Sequence, residues 1–321
     1  MSDRPGRSCP SHYQYSPTVF ATPAEVSCQV LYVVGGVYGN ELALDAVCTA
    51  FAAEAGVKHL VFNGDFNWFN VHPVLFERLN ERVLRFAATR GNVETQLGAI
   101  GSEAGCGCAY PEWVDDGVVK CSNAIMRRLQ QTAAGFPALR ARLTALPMWQ
   151  RIDVGATRVA VVHGDAESLA GWGFAQEALK EEAHLAQVRE WFARAQVDVF
   201  ASSHTGLPIF QRLPVYGQTK VVANNGAAGL PNFAGTQCGL LTRIATRAYA
   251  GPYRCFGVRA DDVYIDALAL HYDQPTWERC FLGQWPEGSA AHTSYWARIR
   301  HGPNYFAAAA VPAVGSARQA I

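Results

Sequence analysis

Five short polar stretches hold the residues able to do chemistry. They are residues 35–40 (GGVYGN), 63–67 (NGDFN), 90–94 (RGNVE), 161–165 (VVHGD) and 202–206 (SSHTG). Together they offer a carboxylate (Asp65), an amide oxygen (Asn92) and two imidazoles (His163 and His204). That donor set suits a divalent metal such as Zn, Mn or Fe. A metal held there would bring the pKa of its water toward neutrality and polarise a phosphoryl oxygen.

These residues lie far apart in the chain, so secondary structure must gather them. Residues 29–36 form an apolar strand run. Residues 41–55 have helical spacing, with Leu42, Ala46 and Ala50 on one face and Asn40 as the N-cap. Residues 59–63 predict a second strand and residues 71–88 a second helix. This β-α-β-α start predicts a parallel sheet with helices outside. Ligands of open α/β sheets collect beyond the carboxyl ends of the strands, where the polar stretches fall.

Residues 93–123, rich in glycine, read as a long loop or cap. Helices follow over 119–132 and 136–146, then strands at Trp149–Val154 and 158–163 and a charged helix over 174–195. Strands are expected near Val199, Ile209, Val221 and Leu240. A strand pair over 254–272 turns at Asp261 and Asp262. The organisation is an N-terminal arm (1–26), a main region (27–250) with an insertion at about 93–146, and C-terminal strands and tail (251–321) packed on the same domain. The aromatics of the last segment, Trp277, Trp285, Tyr295, Trp296 and Tyr305, could pack a core, cover the site or form a subunit contact.

Composition narrows the class. In 321 residues, 50% are hydrophobic and 17% charged, which excludes a mainly disordered chain. Lys plus Arg and Asp plus Glu each number 27, so no global field draws the protein to nucleic acid or an anionic membrane. No apolar run reaches the roughly 18 residues of a membrane span. Residues 1–22 lack the pattern of a secretory signal. Nine irregularly spaced cysteines suit a reducing compartment, so a cytoplasmic location is expected. The P-loop, HExxH, CxxC and GxSxG patterns are absent.

The order of the five stretches resembles the calcineurin-like metallophosphoesterases, whose pattern runs D-x-H, G-D, G-N-H-D/E, a lone H, then G-H-x-H. The resemblance extends from about Val30 to Gly229, and NNGAAGLP at 224–231 is similar to the N-P-G-S-x-G loop of many members. It implies an α/β fold: a two-sheet sandwich flanked by helices. It implies that Asp65, Asn92, His163 and His204 hold one metal, and that a metal-bound hydroxide attacks a small-molecule or nucleotide phosphomonoester or diester. The family's other metal would fall to Gly36, Tyr38, Asp65 and Gly206, of which only Asp65 is a ligand type the family uses, and the leaving-group histidine is Val93. The expectation is one divalent metal per chain, or an altered pair with new ligands.

Candidates for new ligands or substrate contacts are Tyr38, Asn67, Cys106 and Cys108. Tyr38 also reads as a rim tyrosine, Asn67 as a helix cap, and the cysteines as small buried hydrophobes. A Cys-x-Cys pair does not readily close an unstrained disulfide on itself. Glu94 and Asp165 are expected to orient ligands or to act as acid–base groups. Backbone N–H groups near 35–40 and 225–226 could hold an anion. His184, in the charged helix, reads as solvated. Two alternatives to a hydrolase stand beside it: a metal- or ligand-binding protein without turnover, and a mononuclear redox enzyme.

Overall fold

A computed structural model describes residues 4–99 and 104–312. Parts of the arm (1–3), of the expected insertion (100–103) and of the C-terminal segment (313–321) lie outside the described residues. In chain order the elements are β1 (Val26–Cys28), β2 (Val30–Val34), α1 (Glu41–Ala53), β3 (Lys58–Asn63), α2 (Pro73–Val83), β4 (Ala87–Thr89) and α3 (Asn92–Gly98). Next come α4 (Asp116–Ala133), α5 (Pro137–Thr144), β5 (Trp149–Val154), β6 (Thr157–Val162), α6 (Glu182–Ala195) and β7 (Val199–Ser202). The last are β8 (Pro208–Val215), β9 (Gln218–Asn225), β10 (Gly239–Ala245), β11 (Arg254–Ala260), β12 (Val263–Leu270), α7 (Gln274–Gln284) and α8 (Ala290–His301).

The strands form two mixed sheets of six, ordered β1-β5-β6-β7-β9-β8 and β11-β12-β10-β2-β3-β4. Their inner faces meet in one apolar core that joins Leu31, Val33 and Val61 of one sheet to Val159, Val161, Val199 and Ala201 of the other. Strand alternation sends the remaining residues outward. Val30, Tyr32, Val34, Leu60 and Phe62 pack against α1, α2 and α4. Ala160, Val162 and Phe200 pack against α6. Both faces of β2 are covered, so all five of its residues are buried and its sequence is unbroken apolar.

Three elements depart from the sequence reading. The expected helix over 71–88 stops at Val83, and Ala87–Thr89 pair with β3 as the strand β4. Residues 92–98, expected as loop, form α3. Asn92 through Leu97 are all buried, including Glu94, Thr95 and Gln96, so the helix has no solvent face to generate an amphipathic period. The expected helix over 174–195 begins only at Glu182; before it the chain makes a short 3-10 turn, Ala178–Lys180. His184 is half-buried and its Nε2 lies 2.7 Å from the Gly173 carbonyl, so it is not simply solvated.

The arm docks. Arg7 donates to the Pro111 and Val114 carbonyls, both at 2.7 Å, and Asn123 donates to the Pro5 carbonyl at 2.9 Å. It therefore pins the 104–114 loop. At the other end of the chain, Trp285 donates to the Phe69 carbonyl at 2.9 Å, and Gln284 accepts from the Val71 and His72 amides. Trp277 and Trp285 lie in the helical core, while Tyr305 stacks on Phe233.

Candidate metal centre and cavity

Asp65, Asn92, His163 and His204 each lie within three residues of the end of a strand with a parallel neighbour, β3, β4, β6 and β7 respectively, Asn92 opening α3. The first two come from one sheet and the histidines from the other, so the cluster sits where the carboxyl ends of both sheets converge. His163 Nε2 lies 3.2 Å from Asn92 Oδ1, 3.2 Å from His204 Nδ1 and 3.4 Å from Asp65 Oδ1. The four residues are at least nine-tenths buried.

The surroundings decide which atoms face inward. His163 Nδ1 is 2.9 Å from the Asn63 carbonyl, an acceptor, so Nδ1 carries the proton and Nε2 turns a lone pair to the centre. His204 Nε2 is 3.0 Å from the Cys108 carbonyl, which leaves Nδ1 as the inward lone pair. Asn92 Nδ2 donates to the Cys106 carbonyl at 3.0 Å, so its oxygen points in. Four acceptors converge on one point with no donor among them. That arrangement fits a cation, and nitrogen and oxygen donors suit a divalent ion of borderline hardness. The pull toward positive charge is visible in the titration: burial opposes protonation of His163, yet Asp65 outweighs it and raises the imidazole above its ordinary value. Burial and the neighbouring His163 lower His204 to about 4, so it is neutral and able to coordinate at pH 7.

The turn that presents Asp65 is unusual. Gly64 and Asp65 both adopt positive φ, 74° and 54°. A Cβ on Gly64 would lie 2.6 Å from the Gly91 nitrogen and 2.6 Å from His163 Nδ1, so only glycine fits. The left-handed Asp65 is held by Glu94, whose carboxylate accepts from the amides of Asp65 (2.8 Å), Gly91 (3.0 Å) and Phe66 (3.2 Å). Burial, then the Asp65 charge, pushes Glu94 up to about 7. Glu94 thus positions a ligand through its backbone.

The other sequence candidates take different places. Asn67 is fully buried and forms a reciprocal amide pair with Asn80, 2.9 and 2.8 Å, with a longer contact to Glu94; it faces neither the centre nor the cavity. Cys106 and Cys108 turn their sulfurs toward each other as a disulfide pair. The Cys106 and Cys108 carbonyls orient Asn92 and His204, and the Cys108 sulfur also accepts from Asn92 Nδ2 at 3.5 Å. Asp165 touches none of the four centre residues; it gathers the amides of Glu167, Ser168 and Gly173 at 2.9–3.0 Å. The loop so formed lays Trp172 against His204, ring centroids 5.4 Å apart, with its indole N–H on the Cys108 carbonyl at 2.9 Å. The expected anion-binding amides are spent internally: Gly35 on Asn225, Gly36 on Gly64, Tyr38 on Asp65, Gly39 on Phe66 and Gly226 on Asn224.

A cavity of about 320 Å³ opens onto Asp65, Asn92 and His204. Its walls are largely aromatic, with Tyr38, Trp68, Tyr110, Trp113, Trp172 and Tyr295. Arg298 of α8 also lines it. The sequence reading missed Trp172 and Arg298; neither sits in a motif. Burial keeps the Tyr38 hydroxyl protonated, and the Asp65 charge raises it further.

Comparison with solved structures places this architecture. A metallophosphoesterase from Sphaerobacter thermophilus superimposes with a TM-score of 0.55 at 15% identity, covering 86% of this chain and 100% of that one. The chain has the calcineurin-like metallophosphoesterase fold. A hypothetical protein from Pyrococcus horikoshii matches equally, TM-score 0.55 and 15% identity over 87% of this chain and 99% of that one. No family model and no curated protein matches the chain. Among the described residues no helix is long and apolar enough to cross a membrane.

Proposed function

We propose that this chain is a metal-dependent phosphoester hydrolase acting on a small-molecule or nucleotide phosphomonoester or diester. The observation that carries the reading is the convergence of four acceptor atoms, from Asp65, Asn92, His163 and His204, at the floor of an aromatic-walled cavity. A cavity of this size suits a small ligand, and the similar structure from Sphaerobacter thermophilus is titled a metallophosphoesterase. On this reading residues 27–250 form the catalytic unit, with the 93–146 insertion and the 251–321 segment each contributing wall.

A divalent ion such as Zn, Mn or Fe, one per chain, would be held by those four residues and would supply Lewis acidity and a nucleophile at neutral pH. The chain does the rest. Asn63 and the Cys108 carbonyl fix the imidazole tautomers. Glu94 fixes the Asp65 turn. Trp68, Tyr110 and Trp172 exclude water from one side and receive the planar or apolar part of the ester.

The test is Asp65→Asn, read by elemental analysis and by hydrolysis of p-nitrophenyl phosphate and its bis-ester. Metal polarisation supplies several kcal/mol, so the variant is expected to lose its metal and to fall roughly a thousandfold in turnover. Full metal content in Asp65→Asn would remove the site assignment. A metal-loaded wild type that hydrolyses neither ester would favour a binding protein, and a coloured or paramagnetic wild type that hydrolyses neither would favour redox chemistry.

A further inference from the structure

Among the described residues Arg298 is a cation with no carboxylate in ion-pair contact. It projects from α8 into the cavity that exposes Asp65 and His204. Its Nε donates to the Pro231 carbonyl at 3.0 Å and its Nη2 to the Gly206 carbonyl at 2.7 Å, which fixes the guanidinium plane. Among the described residues Nη1 makes no hydrogen bond and no carboxylate forms an ion pair with Arg298. Glu177, the cavity's other carboxylate, is exposed and unpaired with it.

The place it occupies is telling. A Cβ on Gly206 would point at Arg298 Nη1 (3.6 Å) and the Tyr38 hydroxyl (3.8 Å). A Cβ on Gly36 would meet the Tyr38 ring at 2.9 Å. The space bordered by Gly36, Tyr38 and Gly206 is therefore occupied by the Tyr38 ring and hydroxyl and by a guanidinium; burial keeps the hydroxyl protonated, so it and the guanidinium both offer N–H or O–H donors there. Sites with two metals neutralise both the attacking and the leaving oxygens of a phosphoryl group. With Nε and Nη2 held by carbonyls, Arg298 keeps Nη1 to donate to a phosphoryl oxygen from a fixed guanidinium plane.

We propose that Arg298, assisted by the Tyr38 hydroxyl, supplies the second positive charge of the site and receives a phosphoryl oxygen beside the single metal held by Asp65, Asn92, His163 and His204. This deepens the hydrolase reading and rests on it for the nature of the ligand.

The experiment uses the full chain purified with its metal, and inorganic phosphate as the probe. Metal is counted in wild type and in Arg298→Gln, and phosphate affinity is measured in both by calorimetry. One metal equivalent is expected in each, with phosphate binding weaker in the variant by roughly 10- to 100-fold, the value of a charge-assisted contact. Two equivalents in wild type, or equal phosphate affinity in the variant, would overturn the proposal. If Arg298→Gln does not fold, wild type decides: saturating phosphate is expected to shield Arg298 from phenylglyoxal, read by peptide mass spectrometry, and labelling indifferent to phosphate would overturn it. The two readings fail separately. Metal-dependent turnover with unaltered phosphate affinity in Arg298→Gln keeps the hydrolase and removes Arg298's role. Phosphate binding through Arg298 with no ester turnover keeps the anion site and removes the hydrolase.

Discussion

Two of the buried clusters of polar and charged groups among the described residues are finished differently. On the helix-covered face of one sheet, Arg243 of β10 is 1% exposed and bonds Glu54 at 2.7 Å and Asp266 of β12 at 3.4 Å. Arg247 and Arg254 share the same two carboxylates, and Tyr32 donates to Glu54 at 3.1 Å. Every charge there has an opposite. At the carboxyl ends of the strands, Asp65, Asn92, His163 and His204 present acceptors only, and across the cavity Arg298 presents donors only. A cluster that completes itself contributes to the architecture. One left with matched but separated valences is built to be completed by something else.

Breaking the finished cluster should have the largest effect on stability. Arg243→Met leaves two buried carboxylates with only peripheral partners. Removing one member of such a group costs roughly 3–5 kcal/mol, and the lower end is expected because Arg247 and Arg254 remain. Urea unfolding with and without metal checks this: the loss should be the same in both. A loss that added metal repaired would erase the distinction between the clusters.

The open cluster should respond to metal instead. At a free metal concentration one hundred times its Kd, wild type is expected to gain about 2.7 kcal/mol of stability, visible as a rise in melting temperature. Asp65→Asn should gain nothing. Supporting residues should matter less than ligands. Glu94→Gln, which weakens the grip on the Asp65 turn, is expected to cost roughly 10- to 100-fold in metal affinity with the fold retained; affinity equal to wild type would show that the turn holds itself.

The smallest effect is a pH dependence confined to the finished cluster. Burial opposes ionisation of Glu54, but the hydrogen bonds from Arg243 and Arg247 outweigh it and lower its pKa to about 2. A carboxylate with a depressed folded pKa stabilises fully above its ordinary value and loses that contribution as the pH falls toward the folded value. Metal-free protein should therefore lose about 1–2 kcal/mol through Glu54 between roughly pH 4.5 and pH 2, discounted for residual solvent access. Acid titration of stability in Glu54→Gln should be flatter over that window, and a parallel curve would show that Glu54 is not the source.

How legible each cluster was follows from where its residues lie. The four centre residues could be read because each sits at the end of an apolar run, and chain order records strand order. Their supports could not. Glu94 reads as a group that orients ligands, but not through which partners, since these are backbone amides brought together by two turns. Asn67 and Asp165 were indistinguishable by type from site residues, because a polar side chain with a buried amide partner has the same letter as one facing a ligand. The α7–α8 pair has no clear apolar period: α7 buries Gln274, Trp277, Phe281 and Gln284 on one face, but half of that stripe is polar by type, and α8 buries only Ala291 and Ile299.

The resemblance to a family implied the two-sheet α/β fold; the sequence by itself determined the alternation of strand and helix and the order in which Asp65, Asn92, His163 and His204 enter it. Those are consequences of local hydrophobic pattern and of glycine at a turn that admits no side chain. Only the tertiary structure decided which way each imidazole and amide faces, that the Cys108 carbonyl serves His204, and that Arg298 reaches Gly206 and Tyr38 from the far end of the chain. These depend on hydrogen bonds between segments separated by up to two hundred residues, and no local periodicity encodes such partners.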